Sequence, residues 1–337
     1  MKLINFLREW ALIIAILAGV LGYFVYICIP FGPGVHTVTS KVVGILQPLL
    51  IFTMLFLTFC RVDPRELKLK SWHVWILLLQ TLFFTGIGCV LIALPHSSMR
   101  IILEGAMLCL ICPTATAGAV ITGKLGGSVS EITTYTILIN IVVALLIPAL
   151  MPFVHPNPDL NVWEAGLRIL AKVFPLLLLP FICAMGFRRF LPEITKRIAS
   201  HPDISFYLWA VALSLAIAMT TRSIWHSSVD MTTQLCLVAV SFVCCCMQFA
   251  LGRWIGSHYG DKVTPGQSFG QKNTVLAIWM GYTFFTPVTA LVGGFYSIWH
   301  NVINSYQLHA HQHKVSNQNK KNNSDNADKQ DLESRAT

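Results

Sequence analysis

Ten apolar stretches follow one another along this chain, at roughly 11–31, 37–60, 72–94, 101–124, 130–153, 163–187, 204–222, 230–254, 264–286 and 288–308. A helix needs about 20 apolar residues to cross the hydrocarbon core. At that depth every backbone N–H and C=O must be satisfied by protein, which favours helices. The pattern predicts an all-α polytopic membrane protein with ten transmembrane helices. Composition agrees: of 337 residues 55% are hydrophobic and 12% charged, against about 25% charged in soluble domains. Fifteen carboxylates are too few to clothe a soluble particle of this size. A soluble enzyme, a secreted disulfide scaffold and a disordered chain are excluded on that ground.

Lys2 and Arg8 precede the first apolar run, as in a signal peptide. The run is too long for a signal h-region and lacks a small-x-small cleavage site, so it is expected to stay as the first span. The ten cysteines lie almost entirely in apolar stretches and are read as buried thiols acting as small apolar side chains.

The net charge of +9 has a membrane explanation that needs no nucleic acid. Lys and Arg collect in cytoplasmic loops. With the N-terminus inside, inner connections hold Arg61, Arg65, Lys68, Lys70, Lys124, Arg188, Arg189, Lys196, Arg197, Arg253 and Lys262, and outer ones Arg100, Arg168 and Arg222. Both termini are then cytoplasmic. The expected location is a bacterial inner (plasma) membrane, with lipids as partners. From His309 the composition turns to Asn, Lys, Asp, Gln and Ser, predicting a disordered tail over 309–337. His309, His311 and His313 are read as solvated tail residues, with no metal site.

Two spans are interrupted by residues that break helices. The fourth contains Cys112-Pro113-Thr114-Ala115-Thr116-Ala117-Gly118-Ala119, and the ninth Pro265-Gly266-Gln267-Ser268-Phe269-Gly270-Gln271-Lys272-Asn273-Thr274. Proline removes a donor and glycine frees the backbone. Pro113, Gly118, Pro265 and Gly270 are the expected break residues. Freed backbone groups at membrane depth survive only where protein buries them or a cavity solvates them. Each break falls in the fourth span of a set of five, and an odd set inverts its successor. That is the pattern of an inverted-repeat transporter with its site at the broken helices. The expected division is 1–154 for the first repeat, 163–308 for the second and 309–337 for the tail.

At these residues the sequence resembles the bile acid:sodium symporter family. Cys112-Pro113-x-x-Thr116-Ala117 is similar to the family's CPGGTASN stretch, and Gly270-x-x-Asn273-x-x-Leu276-Ala277 to its ExGxQNxxLA stretch; Gln80 stands where the family has a third-span glutamine. The resemblance implies that helices 4 and 9 cross in a core domain moving against a panel of spans 1, 2, 6 and 7. It also implies an organic-anion substrate and two sodium ions. Against that pattern Gly118 and Ala119 replace a Ser-Asn pair, Ser268 replaces a glutamate, Lys272 replaces a glutamine, and Ile132 occupies one hydroxyl position while Thr136 keeps another. A hard cation wants several oxygen ligands, and most are lost here. No cofactor is expected, and sodium is doubtful.

Lys272 is the central candidate. An ammonium at the bilayer centre costs about 2.5–3.5 kcal/mol on insertion scales. Such a residue faces a cavity, finds a partner or gives up its proton. Its place suggests a positive charge standing where a cation would otherwise sit; the structural alternative is a brace to Glu131. Asn273, Gln271, Gln267, Ser268, Thr114, Thr116, Gln80 and Thr136 are candidate substrate- or ion-binding groups, although Ser and Thr in helices often bond back to the preceding turn. Lys41 and Lys172 are read as snorkelling side chains, and Glu104 as solvated at the interface.

The expected function is secondary transport of an organic anion, bile-acid-like or a small carboxylate, by alternating access. Transport is expected to be sodium-independent or proton-coupled. The alternatives are a sodium-coupled symporter of the same family and a non-transporting sensor or channel. No HExxH motif is present, and no enzyme is expected. Oligomeric state is open.

Overall fold

The computed structural model describes residues 11–336 apart from 31, 202, 227 and 228, and beyond His313 the backbone only. The described residues form helices and no strand. In order they are α1 Ala11–Cys28, α2 Pro33–Cys60, α3 Ser71–Ala93, α4 Arg100–Ile111, α5 Gly118–Lys124, α6 Val129–Val154, α7 Val162–Leu177, α8 Leu179–Phe190, α9 Pro192–Ala199, α10 Asp203–Trp225, α11 Met231–Ser257, α12 Val263–Gly270, α13 Thr274–Phe284 and α14 Leu291–Ala336. Five segments are long and apolar enough to cross a membrane: Gly34–Cys60, Ser71–Ala93, Val129–Val154, Tyr207–Trp225 and Met231–Ser257. The pair α7 and α8, bent by 41°, makes a sixth.

Local chemistry starts several of these helices. Ser128 caps α6 by accepting from Glu131 N (3.3 Å), Asn161 caps α7 through Glu164 N (2.8 Å), and Asp230 caps α11 through Thr233 N (3.0 Å). Each side-chain oxygen satisfies an N–H that has no intrahelical acceptor. Thr233 donates to Asp230 through its hydroxyl as well, and these bonds hold the Asp230 carboxyl below its usual range. Gly126, at φ +80°, makes the left-handed turn between α5 and α6, which a side chain would strain.

The helices pack as two groups. In one, α10 lies along α1 and α2, α2 along α8, and α9 against α8 and α2. In the other, α11 packs on α12, α14 and α4, while α3 packs on α4 and α6, and α13 on α14. The groups meet where α6 touches α7, and where α10 touches α13 and α14. Gly252 lets α11 and α12 approach closely: a Cβ there would lie 2.5 Å from Pro265 O. The outward faces carry exposed Leu21, Ile45, Leu82, Leu145, Leu235 and Val302. An apolar exterior on this scale needs a nonaqueous surrounding, and the protein is an integral membrane protein.

Two features depart from the sequence expectations. The α7–α8 bend interrupts a stretch read as uniform, and its physical cause is Pro175 with Pro180 on either side of Leu178. Glu104 is not solvated: it is 1% exposed, paired with Arg100 Nε (3.0 Å) and His155 Nε2 (3.2 Å), and accepts from Thr289 Oγ1 (3.0 Å). A buried carboxylate needs such partners. The backbone of α14 continues as helix to Ala336. A helix already nucleated by packed residues extends by one hydrogen bond per residue without a new nucleation cost.

Candidate functional site

The two broken segments meet. Helix α4 ends at Ile111 and α5 starts at Gly118, while α12 ends at Gly270 and α13 starts at Thr274. Between them the extended backbones pair in an antiparallel bridge at Thr114 and Lys272. Asn273 N donates to Pro113 O (2.9 Å) and Ala115 N to Gln271 O (3.1 Å). Each break thus supplies part of the backbone partners that the other lacks, as freed groups at membrane depth must be satisfied by protein or a cavity.

Side chains take up further groups at the helix ends. Gln80 Nε2 on α3 donates to Ile111 O (3.1 Å) and Cys112 O (3.2 Å), and Tyr135 OH donates to Gln80 Oε1 (2.9 Å). Tyr296 OH donates to Gly270 O (2.8 Å), Thr114 Oγ1 to Ser268 O (2.7 Å), and Cys112 Sγ to Asn273 O (3.0 Å). Asn273 Oδ1 caps α13 by accepting from Leu276 N (3.2 Å). Gln271 Nε2 donates to Gln267 Oε1 (2.5 Å), whose own Nε2 donates to Gln307 Oε1 (2.9 Å). Replacing Gln80 with leucine is expected to lower stability by about 2–4 kcal/mol, because it orphans two buried carbonyls and a tyrosine hydroxyl. Thermal unfolding of the purified variant checks this.

Lys272 lies within this frame and is 1% exposed. Its Nζ sits 5.0 Å from the Phe269 ring centroid and has no hydrogen-bond partner among the described residues. The titratable side chains acting on it are thiols: Cys112, Cys109, Cys245 and Cys244. Glu131 does not brace it. That carboxylate pairs with Lys70 Nζ (3.5 Å) and accepts from Trp72 Nε1 (3.1 Å) at the start of α3. The buried Ser268 Oγ also has no hydrogen-bond partner among the described residues. The C-terminal ends of α4 and α12 converge on the crossing, and their dipoles favour a cation there. The N-terminal ends of α5 and α13 meet it too, with the opposite sign.

The remaining candidates are distributed unevenly. Thr136 donates back to Ile132 O (2.8 Å) and is occupied within its own helix. Thr116 is half-buried in the α4–α5 connection. Pro113 lies in the first break, and Gly118 and Gly270 border the two breaks. Pro265 does not break its helix. It is in the first turn of α12, where a missing N–H has no intrahelical acceptor to lose. A Cβ on Gly118 would lie 3.2 Å from Ile132 Cδ1 and 3.3 Å from Thr114 Cγ2, so small size and close packing go together there.

A model of the SBF-like CPA transporter family matches residues 9–302. The chain belongs to this family. It is a transporter family of the bile acid:sodium symporter type and not an enzyme family, so the likeness seen in two short motifs extends across the apolar region. None of the curated proteins matches the chain.

Several members of the crossing escaped the sequence reading. Tyr135, Gln248, Tyr296 and Gln307 come from three other helices. Gln248 Nε2 donates to Cys244 O and Tyr296 OH (both 3.2 Å). Asn140, one turn beyond Thr136 on α6, is buried with neither side-chain polar atom partnered. Cys109 and Cys112 are spaced as Cys-x-x-Cys and end α4 beside Lys272. The signal available for Asn140 and Gln248 was a lone amide in an apolar span, which is costly to bury without a partner.

Proposed function

We propose that this member of the SBF-like CPA family is a secondary transporter of an organic anion, working by alternating access without sodium. The observation that carries the reading is Lys272: a buried ammonium at the crossing of two broken helices, with no carboxylate paired to it among the described residues. An amine in that setting favours an anionic ligand by Coulomb attraction; of the helix ends at the crossing, the N-terminal end of α13 favours the anion, while the C-terminal ends of α4 and α12 favour the ammonium itself. The substrate class is a bile-acid-like anion or small carboxylate. Sodium-site residues of the family pattern are replaced at Gly118, Ala119, Ser268 and Lys272, and Lys272 itself stands in for the cation.

The same reading takes ten spans in two inverted repeats, 1–154 and 163–308, with both ends in the cytoplasm of a bacterial cell. The packing group of α1, α2, α7–α10 is the panel, and the group of α3–α6 and α11–α14 is the moving core. The test is uptake of a panel of labelled organic acids into proteoliposomes, with and without a sodium gradient, at two pH values. Saturable uptake that ignores sodium is expected, and a dependence on the proton gradient makes Lys272 the coupling group. Sodium-stimulated uptake of the same acids defeats the proposal and restores the sodium-coupled alternative.

A further inference from the structure

A second site lies away from the crossing. A cleft of about 550 Å³ opens where the C-terminal ends of α2 and α8 meet the 61–66 connection and α9. Its wall carries Arg61, Arg65, Arg188, Arg189 and Lys196 against one carboxylate, Asp63. Asp63 is already engaged, with Arg188 Nη2 at 3.0 Å. Arg188 also donates to Val62 O, which anchors it. Arg61 Nη2 donates to Ser205 Oγ (2.8 Å), and Lys196 pairs with Glu193 (3.0 Å). Arg65 and Arg189 are exposed, and no described side chain forms an ion pair or hydrogen bond with either guanidinium. Next in sequence to the wall residues Arg189, Pro192 and Thr195, Phe190 is 81% exposed, and Leu191 and Ile194 are also exposed.

Two free guanidinium groups from different elements, facing one recess in a strongly basic wall, fit an anion with several acceptor oxygens. Arginine forks match phosphate geometry better than a point charge does. Basic recesses among membrane helices are suited to anionic lipid headgroups. Exposed Phe190, Leu191 and Ile194, interleaved in sequence with the wall residues, offer apolar surface to acyl chains. We infer that this cleft binds the phosphate group of an anionic ligand through Arg65 and Arg189, with Arg61 and Lys196 completing the field. The ligand is either an anionic phospholipid headgroup or a soluble phosphate ester. The inference is independent of what the crossing transports.

The test uses delipidated full-length protein in detergent, titrated with phosphatidylglycerol or phosphatidylcholine and read by native mass spectrometry. Phosphatidylglycerol is expected to bind more tightly than phosphatidylcholine. Arg65→Ala/Arg189→Ala is expected to weaken phosphatidylglycerol binding about 30-fold, taking two surface cations near an anionic headgroup. Arg65→Lys/Arg189→Lys should lose less, and Arg197→Ala, on α9 outside the cleft wall, should bind as the parent does. Lys272→Met should leave this binding unchanged, separating the cleft from the transport site. Displacement of the lipid by millimolar sn-glycerol 3-phosphate identifies a soluble phosphate ester as sufficient; no displacement identifies the lipid as the ligand. Equal binding of the two lipids, no loss in the double alanine variant, or an equal loss in Arg197→Ala overturns the inference. If the double variant does not fold, the two single alanine variants carry the same comparison.

Discussion

Lys272→Met is expected to cut organic-anion uptake about 10–100-fold, as the loss of an interaction with a charged group worth roughly 1.5–3 kcal/mol, while raising the thermal stability of the protein. Methionine keeps the length of the side chain and its apolar stem but removes an amine that has no hydrogen-bond partner among the described residues. Removing an unsatisfied buried polar group relieves about 1–3 kcal/mol of desolvation penalty. The melting temperature should rise on the order of 2–4 °C. The opposite signs are the point of the experiment. A lysine that only braced the crossing would lose stability on substitution, and uptake per folded molecule would hold steady. Measuring both on one preparation, by thermal unfolding and by proteoliposome uptake normalised to reconstituted protein, separates the two roles. A further variant, Ser268→Glu/Lys272→Gln, returns two positions to the pattern that the bile acid:sodium symporter resemblance implies. Sodium stimulation appearing only in that double variant supports the reading that Lys272 replaces the ion.

The second large effect is steric. Gly270→Ala is expected to destabilise the folded state by about 3 kcal/mol, the upper part of the usual range for overpacking. A Cβ at Gly270 would collide with ring atoms of Phe249 on α11, which is itself 3% exposed. Neither side has room to give. The Phe249 ring is held in the buried core, and Gly270 O accepts from Tyr296 OH (2.8 Å), so a backbone shift costs that bond. The strain is local, which a double variant exposes: Gly270→Ala/Phe249→Ala should be little less stable than Phe249→Ala alone, a coupling of about 0.5–3 kcal/mol. Additive losses would place the effect of Gly270 in its backbone freedom and not in the contact with Phe249. Folded yield and thermal unfolding of the four proteins decide between them.

The candidate site was legible in the sequence wherever a residue type broke the local pattern. Lys272, the Pro113 break and the Gly270 break stand out because an ammonium, a proline and a glycine are out of place in an apolar helix. Gln80 and Asn273 were visible for the same reason. The roles were less visible than the positions. Asn273 spends its side-chain oxygen on capping α13, Gln80 satisfies the carbonyl end of α4, and Thr136 turns back to Ile132. These assignments depend on where an open N–H or C=O lies in space. Pro265 shows the limit from the other side. The same residue that breaks a helix in its interior sits without penalty in its first turn, so a proline marks a break only once the helix start is known.

The sequence by itself determined the membrane class, the helical content and the two segments where regular structure fails, because hydrocarbon imposes length, polarity and backbone satisfaction on each segment separately. Membership in the transporter family follows from the whole apolar region. Only the tertiary structure decided that the two breaks satisfy each other through the Thr114–Lys272 bridge, that Glu104 is buried among Arg100, His155 and Thr289, and that Lys272 has thiols and an aromatic ring about it in place of a carboxylate. Each of those facts joins residues distant in the chain. A buried polar atom is governed by whichever partner packing brings within hydrogen-bonding distance, and spacing along one apolar helix does not encode what the neighbouring helix presents.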